Sequence, residues 1–522
     1  MVHLFTLLVP VCFLTAAVLA AAGPSFRPRR MLRLIEGFSL AAFLASLAAA
    51  ASLVVYPPST SLSIGSVYLS LSLRHDLVSA TMLLLVSFLG WIIIRFSSTY
   101  LDGEARQGFF AVWLSATLAC VCLFVTAGTL MLLVSSFVAT SLCLQKLLLF
   151  YGERPAARRA VRKKVIMSRL ADVSLAGAAV VLAIGYGTGD IATILERARA
   201  GIEPAGVGAA AALLAAAALF KSAQFPTHGW LTEVMETPTP VSALLHAGIV
   251  NAGGFLLIRF ADVMLLSPGT LGALVMIGGF TAIFGGLVML TQSAVKTALA
   301  WSTVAQMGFM ILQCGLALFP VALLHIVAHS LYKAHAFLSS GSAVEAVAAV
   351  RRPGPVAVPD GSAVAKAFLL AIVIYGLVGL AFGFWHKPPQ AIALGAILIF
   401  GVGYLIAQGL ADAAPWALTR RTSLQATAAA TGYFALQAAA YQLLASTLPP
   451  PPAPGPLEWA LIVLAVTTFG TVAVVQSLFP LWAYHPATAG LRVHLLNGLY
   501  VNALFDRLLN HNCATAPAPQ KD

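Results

Sequence analysis

The stretch LFKSAQFPTHGWLTEVMETPTPVSALLHAGIVNAGGFLLIRF (219–260) sets a lysine, two glutamates, two histidines and three prolines between apolar runs. Lys221 closes an Ala/Leu-rich run, and Pro226 follows five residues later. Proline removes a helix hydrogen bond and bends the chain, so a helix broken beside the lysine is expected. At membrane depth such a break is tolerated only where it faces protein or a wet cavity. A new helix is expected from ETPTPVSALLHAG onward, with His246 about two turns in. A lysine held in a low-dielectric interior changes its proton affinity and is tuned by a nearby acid. With Glu233, Glu236 and His246 close in sequence, that combination suits a proton relay. The plainer alternative is that Lys221 snorkels to an interface and the prolines only turn the chain.

The rest of the chain supports a membrane setting for these groups. Of 522 residues, 60% are hydrophobic and 9% charged, and the mean hydropathy is +0.92. A soluble domain carries roughly 25% charged residues. About fifteen apolar segments, each long enough to cross roughly 30 Å of hydrocarbon, recur from end to end. The fold class is therefore an all-α polytopic membrane protein. The first segment ends in AVLAAAG but has no basic stretch before it, so a retained helix is expected rather than a signal peptide.

The net charge of +12 is explained by where it sits. Basic residues gather in FRPRRMLR (26–33), GERPAARRAVRKK (152–164), RRP (351–353) and TRR (419–421). Counted along the spans, all four loops fall on one side. Positive charge on cytoplasmic loops places the N-terminus outside and the C-terminus in the cytoplasm. No nucleic-acid partner is inferred. The cysteines form no CxxC pair and no zinc spacing, and no phosphate-binding GxxxxGK[ST] loop is present, so ATP driving is disfavoured. No cofactor motif or nucleophile–base pair points to an enzyme.

A second constellation lies in VALLHIVAHSLYKAHAFLSSGS, where His325, His329 and Lys333 are spaced by four and share one helix face. Chains of ionisable groups inside a membrane mark proton pathways. HxxxH could also chelate a metal, but the glutamate of HExxH and an evident third ligand are missing, so no metal site is expected. Lys296, in SAVKTALAWSTVAQMGFM, is a further candidate link. Asp172, in MSRLADVSLAG, is a candidate counter-charge to one of these lysines.

The segments KSAQFPTHGWLTEVMETPTPVSALLHA, AVKTALAWSTVAQMGFM and HIVAHSLYKAHAFLSSGS resemble the antiporter-like membrane subunits of respiratory complex I and of Mrp cation/proton antiporters. The resemblance implies two inverted five-helix repeats with broken helices: N-terminal helices over 1–106, the repeats over 107–260 and 261–411, C-terminal helices over 412–478, and a cytoplasmic amphipathic tail over 479–522. It implies that Lys221 is the central lysine of the first break and that His325, His329 and Lys333 are the connecting relay. Asp172, Glu236, His246 and Lys296 match other polar positions of the family. GFWHKP (383–388) resembles the second lysine-bearing break, which would make Lys387 the distal lysine; the alternative is a surface loop between spans.

Within that superfamily, LLHAGIVNAGGFLLIRF and HLLNGLYVNALFDRLL most resemble the DabB family, membrane subunits of two-component inorganic-carbon transporters. That resemblance implies a multi-pass protein of a bacterial inner (plasma) membrane. It would pass protons or other cations to energise carbon accumulation by DabA, a zinc-containing, carbonic-anhydrase-like cytoplasmic partner. Two departures matter. The complex I glutamate that partners the central lysine falls on Val138, and the chain ends too soon after the last span for a long lateral helix. The alternative function is an ion-translocating subunit of a complex I, membrane hydrogenase or Mrp assembly. In the tail, Leu495, Leu499, Leu504 and Leu508 recur at about helical spacing, which suits docking to the partner, to membrane lipid, or to both.

Overall fold

The computed structural model describes residues 2–61, 63–341, 360–409, 416–478, 482 and 485–511. Helices α1 (Val2–Ala22) and α2 (Arg29–Ser52) lead into four two-residue strands, β1 (Ser59–Thr60), β2 (Ile64–Gly65), β3 (Ser70–Leu71) and β4 (Arg74–His75). β1 pairs antiparallel with β4 and β2 with β3, in the registers Ser59–His75 and Ile64–Leu71. Then follow α3 (Leu77–Tyr100), α4 (Gln107–Val125), α5 (Leu130–Leu148), α6 (Pro155–Tyr186), α7 (Ile191–Arg199) and α8 (Val207–Lys221). The middle of the chain holds α9 (Gly229–Glu233), α10 (Thr239–Ala247), α11 (Ala252–Arg259), α12 (Ala261–Leu265), α13 (Pro268–Met289), α14 (Val295–Gly315) and α15 (Phe319–Leu338). The rest comprises α16 (Gly361–Ala381), α17 (Pro389–Gly409), α18 (Trp416–Leu444), α19 (Pro456–Ser477), α20 (Ala489–Leu496) and α21 (Val501–His511).

Twelve helices among the described residues are long and apolar enough to cross a membrane. The expected fifteen segments correspond to these twelve together with α8, α17 and α18. The protein is all-α and polytopic. Helix starts follow from side chains that take up orphan backbone N–H groups. Asp76 accepts from the Ser79 amide at 2.8 Å, Asp190 from Thr193 at 2.8 Å and Asp360 from Ala363 at 2.7 Å. Pro155, Pro268 and Pro456 open their helices, where a missing N–H costs nothing. Where apolar surface drives no association, small residues let helices close on one another. A Cβ on Gly278 of α13 would stand 2.5 Å from the Leu312 nitrogen of α14, so the two backbones meet there.

Loops at one end of the bundle fasten to each other. The Gly108 amide donates to the Ser25 carbonyl at 2.8 Å, Arg106 to the Phe150 carbonyl at 3.0 Å, and Arg27 stands 3.5 Å from Asp102. The strands mark the opposite end, where Arg259 of α11 donates to Asp76 at 2.6 Å. We refer to these as the basic end and the strand end. The basic segments 26–33, 152–164 and 419–421 fall at the basic end by alternation of the helices; RRP (351–353), Cys513 and residues 512–522 lie outside the described residues.

Two expectations need correction. The segment GERPAARRAVRKK is not a loop beyond its first three residues, because α6 begins at Pro155 and turns Lys163 and Lys164 inward. The tail is not one continuous helix. Gly498–Tyr500 form a turn in which Leu499 and Tyr500 have φ of 52° and 61°, splitting it into α20 and α21.

Candidate functional site

α8 ends at Lys221, and helical geometry resumes only at Gly229. A second break separates α10 from α11 at Gly248–Asn251. The two breaks are joined: the Ser222 hydroxyl donates to the Val250 carbonyl at 2.8 Å. Lys221 is therefore placed where backbone from two interrupted spans meets, and it is buried. Its Nζ donates to the Ser141 hydroxyl of α5 at 2.6 Å and lies 3.8 Å from the centroid of the Phe137 ring, over which a cation is attracted by the ring's negative face.

Lys164 of α6 donates to the Ser141 carbonyl at 2.9 Å and is buried as well. Two buried lysine Nζ atoms thus converge on one residue of α5. Asp172, two turns along α6 from Lys164, lies within electrostatic reach of Lys221, Arg169 and Lys164. Arg169 Nη1 stands 2.9 Å from Asp172 Oδ2, yet neither carboxylate oxygen has a well-aligned hydrogen bond among the described residues. An ion pair needs no strict angle, so at this separation the two groups are paired. Asp172 therefore supplies a counter-charge that Val138 cannot. Ser141, one turn beyond Val138, supplies the oxygen.

A cavity opens beside Lys221, with Thr140, Asn251 and Ser330 as its other polar lining. Asn251 Nδ2 donates to the Ser330 hydroxyl at 2.9 Å and to the Ala247 carbonyl at the same distance. Ser330 belongs to α15, so the cavity brings the first break to the histidine helix. There the expected row is a stack: the His325 and His329 rings lie 5.9 Å apart at 27°. His329 Nε2 is 3.2 Å from the His246 carbonyl, and Lys333 donates to the Leu299 carbonyl at 3.2 Å. His246 stacks on Phe337 at 4.5 Å, and neither of its ring nitrogens has a hydrogen-bond partner among the described residues.

The other expected residues stand apart from this centre. Lys296 donates to the Thr239 hydroxyl at 3.0 Å, which in turn donates to the Tyr100 hydroxyl at 3.1 Å, a group at the basic end. Glu236 closes the 3-10 turn Val234–Glu236, and its side chain lies outside the described structure. Lys387 stands in the connection between α16 and α17, and α17 starts only after it, at Pro389. It is a residue between spans, partly covered by Gln437 at 2.7 Å, rather than the lysine of a second broken helix. In the tail, Leu495 turns inward and is buried, so it cannot meet a partner; Leu499, Leu504 and Leu508 are exposed.

Sequence reasoning missed Lys164, Ser141, Asn251 and Ser330. A signal existed for the first: Lys164, Ser168 and Asp172 recur every four residues, the spacing that picked out His325, His329 and Lys333.

Most of the chain is similar to known membrane proteins. Residues 127–352 match the family described as NADH:quinone oxidoreductase/Mrp antiporter, TM, and residues 62–111 match NADH-Ubiquinone oxidoreductase (complex I), chain 5 N-terminus. A probable inorganic carbon transporter subunit DabB2 of Halothiobacillus neapolitanus is 37% identical over 97% of this chain and 93% of its own. A probable inorganic carbon transporter subunit DabB of Hydrogenovibrio crunogenus is 42% identical over 58% of this chain and 59% of its own. The NADH-quinone oxidoreductase subunit L of Escherichia coli is 33% identical over 55% of this chain and 47% of its own. A chain in the structure of the Mrp complex from Dietzia sp. DQ12-45-1b superposes with a TM-score of 0.58 at 22% identity, over 98% of this chain and 58% of that one, a likeness of fold. Fold and site together define a polytopic, antiporter-like membrane subunit. Within that class the chain belongs to the DabB family.

Proposed function

We propose that this chain conducts protons down their gradient and thereby energises inorganic-carbon uptake by a cytoplasmic, zinc-containing, carbonic-anhydrase-like partner of the DabA type. It does no covalent chemistry of its own. It resides in a bacterial inner membrane, with the strand end and N-terminus outside and the basic end and tail in the cytoplasm. The observation that carries the reading is the pair of buried lysines on Ser141, beside a cavity that reaches Ser330 and the histidine helix. Such charges in hydrocarbon are costly and persist where they serve transport. The near full-length similarity to a DabB2 protein supports the carbon-uptake part, whereas subunit L of complex I aligns with only 55% of the chain. The test pairs a carbonic-anhydrase-deficient host with the chain and its partner. Lys221→Ala should abolish growth at ambient CO2 while the partner still co-purifies. Normal growth of the assembled variant would remove Lys221 from the path.

A further inference from the structure

At the basic end Lys163 is enclosed by two carboxylates from elements far apart in sequence. Its Nζ lies 2.6 Å from Glu233 Oε1 and 2.8 Å from Asp506 Oδ1. The Lys163 side chain is 1% exposed, whereas those of Glu233 and Asp506 are 28% and 40% exposed. The carboxylates meet solvent and the ammonium does not. Glu233 ends α9, the lower half of the broken span, and Asp506 rides on α21. α21 is seated by further contacts: Asn502 Nδ2 is 3.3 Å from the Thr232 hydroxyl, and Phe505 packs on the core. On the preceding segment, the Leu496 carbonyl accepts from Gln292 at 3.3 Å.

The next residue points elsewhere. One residue turns a helix by about 100°, so Lys164 leaves the carboxylates and reaches Ser141, where it senses the charge of Lys221. Two consecutive lysines therefore link a solvent-touching acid pair to the buried centre.

We propose that Lys163, Glu233 and Asp506 form the basic-end mouth of the proton path, with the C-terminal helix supplying one of its two acids. This rests on the proton-conduction reading above. The Lys163 ammonium hands a proton to the Glu233 or Asp506 carboxylate and is left a neutral amine. That acid releases the proton to the aqueous side and becomes a carboxylate again, while Lys164, charged by a proton from the buried centre, passes one to the Lys163 amine directly or through water, so charge and protons balance. Because Asp506 sits on α21, unseating that helix removes one acid and slows proton release.

The test uses the full-length chain purified with its partner and reconstituted in liposomes. Proton entry is driven by a potassium diffusion potential and followed with an internal pH dye across a series of external pH values. Asp506→Asn and Glu233→Gln should each slow entry about tenfold and displace its pH profile, and Asp506→Glu should restore entry to within about twofold. Glu153→Gln, an exposed carboxylate at the same end, should leave entry unchanged. If Asp506→Asn fails to fold, Glu233→Gln carries the comparison alone. Wild-type rates and pH profiles in the asparagine and glutamine variants would overturn the proposal. So would slowed entry with an unmoved pH profile and no rescue by glutamate, because that is the behaviour of a structural clasp. Absence of entry in the wild type would instead overturn the conduction reading on which the mouth depends.

Discussion

Ser141 shows how a site with no carboxylate on the facing helix still holds a buried lysine. Its hydroxyl and its carbonyl each take one lysine, Lys221 and Lys164, while Asp172 balances them from α6. Ser141→Ala should leave Lys221 short of an acceptor in a dry setting, which costs about 1–3 kcal/mol. Thermal unfolding in detergent should fall accordingly, with the partner still bound. Along α15, replacing His329 with Leu or Lys333 with Met removes a link between groups that are stacked or bonded to backbone carbonyls. Uncoupler-sensitive carbon uptake should drop by roughly an order of magnitude in each; full uptake in both would make the row structural. The residues visible from sequence alone were those whose presence in hydrocarbon is itself abnormal, such as Lys221 and His329. Ser141, Asn251 and Ser330 are ordinary in a membrane helix, and only their placement around one cavity gives them a role. Lys164 was hidden by its neighbours, since a run of arginines reads as a loop by composition.

Among elements, the spans were legible because length and apolarity are properties of the chain itself, and the break after Lys221 because proline forbids the next hydrogen bond. The break at Gly248–Asn251 carries no proline and is held by tertiary contacts such as Asn251 to Ser330, which sequence does not display. The split of the tail depends on Leu499 and Tyr500 adopting positive φ, a conformation that their side chains disfavour and that residue type therefore does not announce. Lys387 was a candidate for the second break through the resemblance of GFWHKP to the family's lysine-bearing one, yet two full helices flank it. At the strand end, Asp76 caps α3 and also takes the Arg259 guanidinium of α11, with both side chains nearly inaccessible. Asp76→Asn strands a buried arginine and should cost about 3–5 kcal/mol. The variant should unfold at a clearly lower temperature in detergent than the wild type; an unchanged transition would mean that water takes over the arginine.

Across the whole molecule, a row of buried polar groups within the bundle is followed at the basic end by a helix, α21, that lies outside the spans. The inward face of α21 is occupied by the chain's own Lys163 and Thr232, so a partner is left the outward face, where Leu504 and Leu508 are 56% and 71% exposed. Leu504→Glu together with Leu508→Glu should abolish capture of the DabA-type partner while the membrane part stays folded, because neither side chain supports the core. Retained capture would move docking to the loops of the basic end. Everything else depends on whether protons cross at Lys221. Reconstitute the wild-type chain and Lys221→Met, which keeps the length of the side chain without its charge, at equal density in liposomes. Impose an inside-negative potential, and record internal acidification. The account predicts rapid, uncoupler-like acidification with the wild type and a rate indistinguishable from empty liposomes with Lys221→Met. Equal acidification by the two proteins would contradict it.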